Sequence, residues 1–427
     1  MPRLPAVGPF RAEFWRSPLR GPWLASFLST ALLPLLAICA VTGFLSHAAY
    51  DPDLGHNAVF GGPGAGNGFD LYGFDWPTSP PWLYAATQGA HVISGVAAIP
   101  LLLAKLWAVI PKLFENPPAL SPSHALERLS LVFLVGGGLF TIGTGVLNIQ
   151  LWYPFGFQFV PAHYYGAIVF LAALGFHIAI KLPVMRRAFR RRGVLAPLRD
   201  DLEGTEPEAG FDGVVTSAPV APADPTMTRR GLLAGVGAAS LGLGLMTAGQ
   251  VVGGPLRPLA LLAPRNRGFG DGPNDFPVNK TFAAVKVDPA DVGRDWRLIL
   301  QTGEERRAVL SRPELLAMEQ TTAELPIACV EGWSTSQTWT GVRLSELARL
   351  AGVDGAAELE VRSLQPRGAF RRATLSSGQI ADPKSLLALR VNGADLSLDH
   401  GFPARVIVPA LPGVHCTKWV GKMVFRA

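Results

Sequence analysis

Three cysteines in 427 residues exclude a disulfide framework, and because Cys39 sits inside a long apolar run only Cys329 and Cys416 remain that could pair. Lys and Arg are missing altogether between His47 and Pro81, a glycine- and proline-rich stretch that carries Asp51, Asp53, Asp70 and Asp75. Charged residues make up only 16% of the chain, and they are unevenly spread. Up to about Val252, apolar runs long enough to cross a bilayer recur; from Arg265 onward, charges and short alternating segments describe a water-soluble fold. The formal net charge of +6 does not argue for a nucleic-acid partner, because the basic residues cluster beside the ends of the apolar runs, where they report topology.

Residues 1–22, with Arg3, Arg11, Arg16 and Arg20 among prolines, read as a cytoplasmic basic arm and not a cleavable signal. The apolar run that follows is too long for a signal peptide and ends without a small-residue cleavage pattern. Membrane spans are expected at residues 23–46, with Pro34 tolerated as a kink, and at 84–110, 126–149 and 163–184. The unbroken acidic bias of the first loop places it outside, and the cluster MRRAFRRRG after the fourth span fixes that end in the cytoplasm. Residues 193–227 read as a flexible cytoplasmic linker. Next comes MTRRGLLAGVGAASLGLGLMTAG, where Thr228, Arg229, Arg230, Leu232 and Leu233 open a fifth span over 228–253. It is similar to a twin-arginine export signal placed internally, although paired arginines ahead of an apolar helix also follow from membrane charge rules alone. On either reading the remainder of the chain lies outside the cytoplasm. A twin-arginine route carries folded proteins, which suits a domain that must fold around a cofactor made in the cytoplasm.

Ionisable groups in a bilayer are costly, so His47, His91, His163 and His177 are functional candidates. His163 and His177 are fourteen residues apart, which puts them on nearly the same helical face about 21 Å apart, the spacing of ligands to two stacked haems. His91, in the outer half of the second span, has the depth to face His163 across a four-helix bundle. With these histidines, residues 23–190 resemble the bacterial cytochrome b561 family. The resemblance implies a quinol-oxidising four-helix cytochrome with one haem b held by His91 and His163. In that family an inner haem takes its second histidine from the cytoplasmic half of the first span. Here that half has none, so His177, the candidate for a second haem, lacks an obvious partner unless His124 reaches in. His47 and His124 read better as interfacial or helix-packing residues.

Beyond Arg265, the segments FAAVKVD, WRLILQTG, LPIACVEGWS, LEVRSLQ, LLALRVNG, ARVIVPA and WVGKMVF predict short strands. Between them an amphipathic helix sets Leu344, Leu347, Ala348 and Ala351 on one face. The expected fold class is therefore an all-α membrane four-helix bundle plus a fifth transmembrane helix, followed by an α+β domain over 265–427 with two or more small sheets. Cys329 ends an apolar strand in IACVEGWS, where a single thiolate suits a soft or high-valent metal, although a lone cysteine is as readily a small buried hydrophobe.

Two passages carry a resemblance. The segment DHGFPARVIVPALPGVHCTKWVGKMVF, Asp399 to Phe425, resembles the sulfite oxidase family of molybdopterin oxidoreductases. CVEGWS resembles its membrane-partnered bacterial branch, the methionine sulfoxide reductase catalytic subunit, and NDFPVN, Asn274 to Asn279, fits the same family. The resemblance implies that Cys329 coordinates molybdenum beside the dithiolene of one molybdopterin. It places His400 and Arg405 at the pterin and Cys416, Thr417 and Lys418 at its phosphate, with Asn279 and Lys280 as further pterin candidates. An anionic phosphate calls for a fixed guanidinium and an ammonium, and Gly401 and Gly413 permit close backbone approach. Sulfite oxidases follow their cysteine with a sulfite-binding arginine; here Glu331 and Gly332 stand there, and a carboxylate repels an anion. Arg367, Arg371 and Arg372 could line the pocket, but such a cluster reads better as a solvated basic face.

The sequence thus points to a multi-pass cell-membrane oxidoreductase with an extracytoplasmic catalytic domain. Its expected partners are the quinone pool, twin-arginine export machinery and a small sulfur or S-/N-oxide substrate. The alternative is a haem-containing membrane electron carrier whose molybdopterin-like domain binds without turnover.

Overall fold

The computed structural model describes residues 8–50, 74–114, 122–208, 219–264 and 270–427. Asp51, Asp53, Asp70, Arg3 and Arg265, and the side chain of His124, lie outside the described residues. Among the described residues, five helices are long and apolar enough to cross a membrane: α1 (Pro22–Ala49), α2 (Leu83–Val109), α3 (Pro122–Ile149), α4 (Phe159–Arg192) and α5 (Arg229–Val252). α4 continues eight residues past the apolar run, because arginine is a good helix former and the charge cluster marks where the apolar face ends, not where the helix does. It stops at Gly193, whose φ of 71° is open to glycine. The chain forms two compact units. The first comprises Met1–Ala40, Ile93–Asn148 and Tyr153–Leu245; the second comprises Val41–Val92, Ile149–Trp152 and Met246–Ala427.

In the first unit, residues expected to form a flexible linker make defined contacts at its start. The backbone N–H of Trp23 donates to both carboxylate oxygens of Glu208, at 3.1 and 2.8 Å, so a residue from the linker satisfies an orphan donor at the start of α1. Burial raises the Glu208 carboxyl above its ordinary range, against these backbone bonds and the charges of Arg192 and Arg229. Arg229, the first arginine of the TRRGLL motif, is fully buried and donates to the carbonyls of Glu206 (2.6 Å) and Pro18 (3.2 Å) and to Asp200 (3.4 Å). Glu208 and Asp200, acidic residues at the start of the expected linker, are thus partners of these buried donors; residues 209–218 lie outside the described part.

The second unit carries two five-stranded sheets. One has the order β2-β1-β10-β5-β6, from β1 (Arg297–Thr302), β2 (Glu305–Ser311), β5 (Glu358–Ser363), β6 (Arg372–Ser376) and β10 (Val420–Arg426). The β1–β10 pair is parallel and joins residues more than a hundred apart, with Leu300 opposite Met423. The other sheet runs β3 (Thr321–Cys329), β4 (Trp333–Arg343), β7 (Leu386–Val391) and β8 (Ala394–Asp395), with β9 (Arg405–Ile407) also on β7. Leu298, Leu300, Leu359, Val361, Met423 and Phe425 form one core with the expected helical face of Leu344, Leu347, Ala348 and Ala351. Fully burying one such leucine stabilises the fold by about 2 kcal/mol. Trp76 belongs to this core and donates its indole N–H to Ala410 O at 2.8 Å. A second core, around Leu325, Ile327, Trp339, Leu386 and Ile407, holds both Cys329 and Cys416.

Candidate functional site

Cys329 is the last residue of β3 and pairs in register with Trp333, the first of β4. Only Val330, Glu331 and Gly332 connect them, and the Gly332 N–H closes the turn on Cys329 O at 3.0 Å. A three-residue hairpin needs a left-handed residue, which Gly332 supplies at φ 79°. The cysteine is therefore held at the end of a ladder, not on a loose loop. A second segment is pinned to the same strand: Gly413 N–H donates to Ala328 O at 2.7 Å, and Pro412 bridges Ala328.

A cavity of about 230 Å³ opens beside this strand end, lined by Cys329, Asn279, His400, Arg405, Lys418 and Trp333, with Pro277, Ile327 and Gly413 among its walls. Five of the eight predicted pterin and molybdenum residues thus converge on one space. Arg405 is buried; its guanidinium lies 5.4 Å over the Trp339 ring and reaches His400 O at 3.4 Å, while its Nε has no hydrogen-bond partner among the described residues. Burial pulls its pKa down to about 10, opposed by the two cysteines nearby, and it stays charged at neutral pH. His400 stacks on Phe276 with ring centroids 3.7 Å apart. Burial, and then the Arg405 charge, lower its pKa to about 3, so the ring is neutral and Nε2–H donates to Asn274 O at 2.9 Å. Lys418 Nζ donates to the carbonyls of Lys280 (2.5 Å) and Asp399 (3.0 Å).

The other predicted residues stand apart from the cavity lining. Cys416 is buried in the second core, where its sulfur accepts from the Val408 N–H and burial raises its thiol. Thr417 pairs through its backbone with Val406 at 2.9 Å. Lys280 is exposed and contributes its carbonyl to Lys418. Cys329 and Cys416 form no disulfide. Gly401 serves the fold: at φ 110°, a Cβ there would stand 3.0 Å from Lys418 Cβ and 3.2 Å from Arg405 Cβ. Residue-by-residue reading missed Asn274, Phe276 and Trp339. Asn274 bridges Ser397 N (2.8 Å) and Asp395 O (3.0 Å), and the signal for it was an asparagine and an aromatic inside NDFPVN.

Among the histidines of the long helices, His163 Nδ1 lies 2.8 Å from Thr141 O and 3.3 Å from Thr144 Oγ1 in the first unit. In the second unit the His91 ring packs on α1 at Gly43, where a Cβ would come within 2.7 Å of Nδ1. His177 lines a space of about 1510 Å³ in the first unit, together with Lys105, Glu127, Lys181 and many leucines.

Residues 284–427 match the family described as oxidoreductase molybdopterin binding domain. The C-terminal domain is a sulfite oxidase-type molybdopterin-binding domain. It is similar to mitochondrial sulfite oxidase of Mus musculus, 32% identical over 132 residues that cover 29% of this chain and 22% of that enzyme. It is also similar to sulfite oxidase of Arabidopsis thaliana, 32% identical over 107 residues covering 21% of this chain and 27% of that one. NADH nitrate reductase of Ulva prolifera is 33% identical over 96 residues, 20% of this chain and 11% of that protein. The chain thus spans less than a third of the length of each of these relatives. Among solved structures, the sulfane dehydrogenase SoxCD of Paracoccus pantotrophus aligns at 24% identity over 31% of this chain and 38% of that one, with a TM-score of 0.28, too low to add to the sequence match.

The donor set of the molybdopterin-binding domain fits an anionic group bearing a soft metal: one thiol at a ladder end, a buried guanidinium with an orphaned N–H, and an ammonium. Asn274, Phe276 and Asn279 precede the matched region, so part of this cavity is built by a segment outside it.

Proposed function

We propose that the chain is a membrane-bound molybdopterin-dependent oxidoreductase that exchanges electrons with the quinone pool through haem b and acts on a small sulfur or S-/N-oxide substrate outside the cytoplasm. The observation that carries this reading is the convergence of Cys329, Arg405, Lys418, His400 and Asn279 on one cavity. Cys329 Sγ would ligate molybdenum, Arg405 and Lys418 would neutralise the anionic pterin, and neutral His400 would present its ring beside it. When bound, the cofactor supplies two-electron oxygen-atom chemistry. The hairpin fixes the thiol, and Trp339, itself met edge-to-face by Phe276, backs the Arg405 guanidinium.

His91 and His163 are the haem ligands of this reading. The Thr141 carbonyl at His163 Nδ1 supports it, because a carbonyl on one ring nitrogen orients the ring and assigns ligation to the other. His177, facing a large apolar space with Lys105 and Lys181, is the candidate for a second haem. The charge bias of the loops puts the N-terminus in the cytoplasm and the molybdopterin-binding domain outside it, with the TRRGLL segment as the export signal.

Metal and haem stoichiometry on one preparation of the full chain, with viologen-linked S-oxide turnover, tests the reading. Molybdenum, a bis-histidine haem spectrum and turnover are expected. Cys329→Ser should abolish turnover and remove one sulfur from the molybdenum coordination seen by X-ray absorption; unchanged turnover and coordination would overturn the assignment.

A further inference from the structure

The hairpin that carries Cys329 is held from outside the family-matched region on both sides of the thiol. On one side, Gln88 of α2 donates its side-chain Nε2–H to Val330 O at 3.4 Å. On the other, the Pro81 carbonyl just ahead of α2 accepts from Ala410 N–H at 3.0 Å, and the segment anchored there is the one whose Gly413 N–H donates to Ala328 O at 2.7 Å. Tyr84, in the first turn of α2, packs in one core with Ala328. The turn itself is closely packed, since a Cβ on Gly332 would stand 3.3 Å from Val92 of α2 and 3.3 Å from Ile149, the last residue of α3. Just past the turn, Ser334 Oγ–H donates to Val251 O at 2.6 Å and so satisfies a carbonyl in the last turn of α5. Gln88, Val92, Ile149 and Val251 belong to the second unit, and all precede residue 284, where the family match begins.

We infer that these helix ends seat the metal-ligand hairpin and that Gln88 is a positioning residue for Cys329, setting the direction of the thiol without touching the cofactor. The inference rests on the reading of Cys329 as the molybdenum ligand. Three successive carbonyls, of Ala328, Cys329 and Val330, accept from Gly413 N–H, Gly332 N–H and the Gln88 amide. The first two donors are backbone groups, which no side-chain change removes; the third is a side chain, and one substitution deletes it. Without it the turn can pivot about Cys329. A displacement of about 1 Å at a reacting centre costs on the order of 100-fold in rate, so a modest pivot is enough to matter. His91 stands between Gln88 and Val92 in α2, so the stretch of helix that touches the hairpin also carries the predicted haem ligand.

Gln88→Met keeps the side-chain length and removes the donor. The test compares the pentavalent-molybdenum EPR signal, molybdenum content and dimethyl sulfoxide turnover of the full chain in detergent, with and without this substitution. The g-values of that signal report the orientation of the thiolate sulfur at the metal, which a change in stability alone does not move. Gln88→Met should keep its molybdenum, shift the g-values, and lower kcat about 10- to 100-fold with KM little changed. Thr87→Val is the control, because Thr87 neighbours Gln88 in α2 but bonds to Ser46 and to Tyr84 O; its spectrum should be that of the unsubstituted chain. An unshifted signal in Gln88→Met, or an equal shift in Thr87→Val, would overturn the inference. Should Gln88→Met fail to fold, Val92→Ala, which loosens the packing on Gly332 and leaves the Gln88 bond in place, carries the same comparison with the same two outcomes. An unsubstituted chain without any molybdenum signal brings down the reading of Cys329 itself; a signal indifferent to these substitutions brings down only the positioning role.

Discussion

Replacing Arg405 by methionine should stabilise the cofactor-free chain and empty the loaded one. Arg405 is 3% exposed; among the described residues its Nε has no partner, and its contact with the His400 carbonyl is long at 3.4 Å. Taking such a charge out of water costs several kcal/mol, of which the Trp339 face returns about 1–2 kcal/mol. Methionine is of similar length and needs no compensation, so the cofactor-free variant should gain about 1–3 kcal/mol. In a domain of this size that raises the melting temperature by about 2 to 10 °C. The comparison needs full-length protein from a host unable to make the cofactor, with unfolding followed by tryptophan fluorescence, and a parallel molybdenum analysis of protein from a competent host. The loaded variant should lose most of its molybdenum. A cofactor-free variant less stable than its parent by more than about 1 kcal/mol would mean that the protein already compensates the charge, and the argument that Arg405 awaits an anion would fail.

Gly401→Ala should cost about 1–2 kcal/mol in left-handed strain and push against the Cβ atoms of Arg405 and Lys418, so molybdenum retention should fall more than thermal stability; retention unchanged would refute that coupling. Glu360 is held below the ordinary carboxylate range, chiefly by its hydrogen bond from Arg362 at 2.7 Å, then by Arg372 and Arg426. Because the folded pKa lies below the unfolded one, its contribution is present above the unfolded value and is lost as pH falls through the folded value. Glu360→Gln should thus lose about 1 kcal/mol at pH 7, a difference that closes on acidification below about pH 4; a gap that persists in acid would count against the ion-pair account.

Cys329, the five apolar helices and the Leu344–Ala351 face could be read from sequence because each rests on local pattern: an apolar run, a 3.6 period, a charge at a boundary. The helix ends were less legible, since α4 runs on through Arg192, past the apolar run, with Ala188 buried and Phe189 packed on the first-unit core. The β1–β10 pairing was not legible, because no local signal joins Leu300 to Met423. At the site, the motifs gave Arg405 and Lys418, but the ring stacked on His400 and the indole under Arg405 come from Phe276 and Trp339, which sequence alone cannot bring together. Cys416 and Thr417 sit in the same motif as Lys418, yet in this irregular segment Cys416 packs into the second core and Thr417 pairs through its backbone carbonyl, leaving Lys418 to reach the cavity.

The three-residue turn after Cys329 sets a parity rule on this gene. In β3 the residues alternate between the two faces of the sheet, so an insertion or deletion of one residue within Thr321–Cys329 would exchange inward for outward positions and turn the thiol away from the cavity. Changes of two residues would preserve its facing at the expense of reach. Length variation among proteins built on this hairpin should therefore collect before Thr321 or after Arg343, and a lineage that altered β3 by one residue would have to supply the proposed metal ligand from elsewhere.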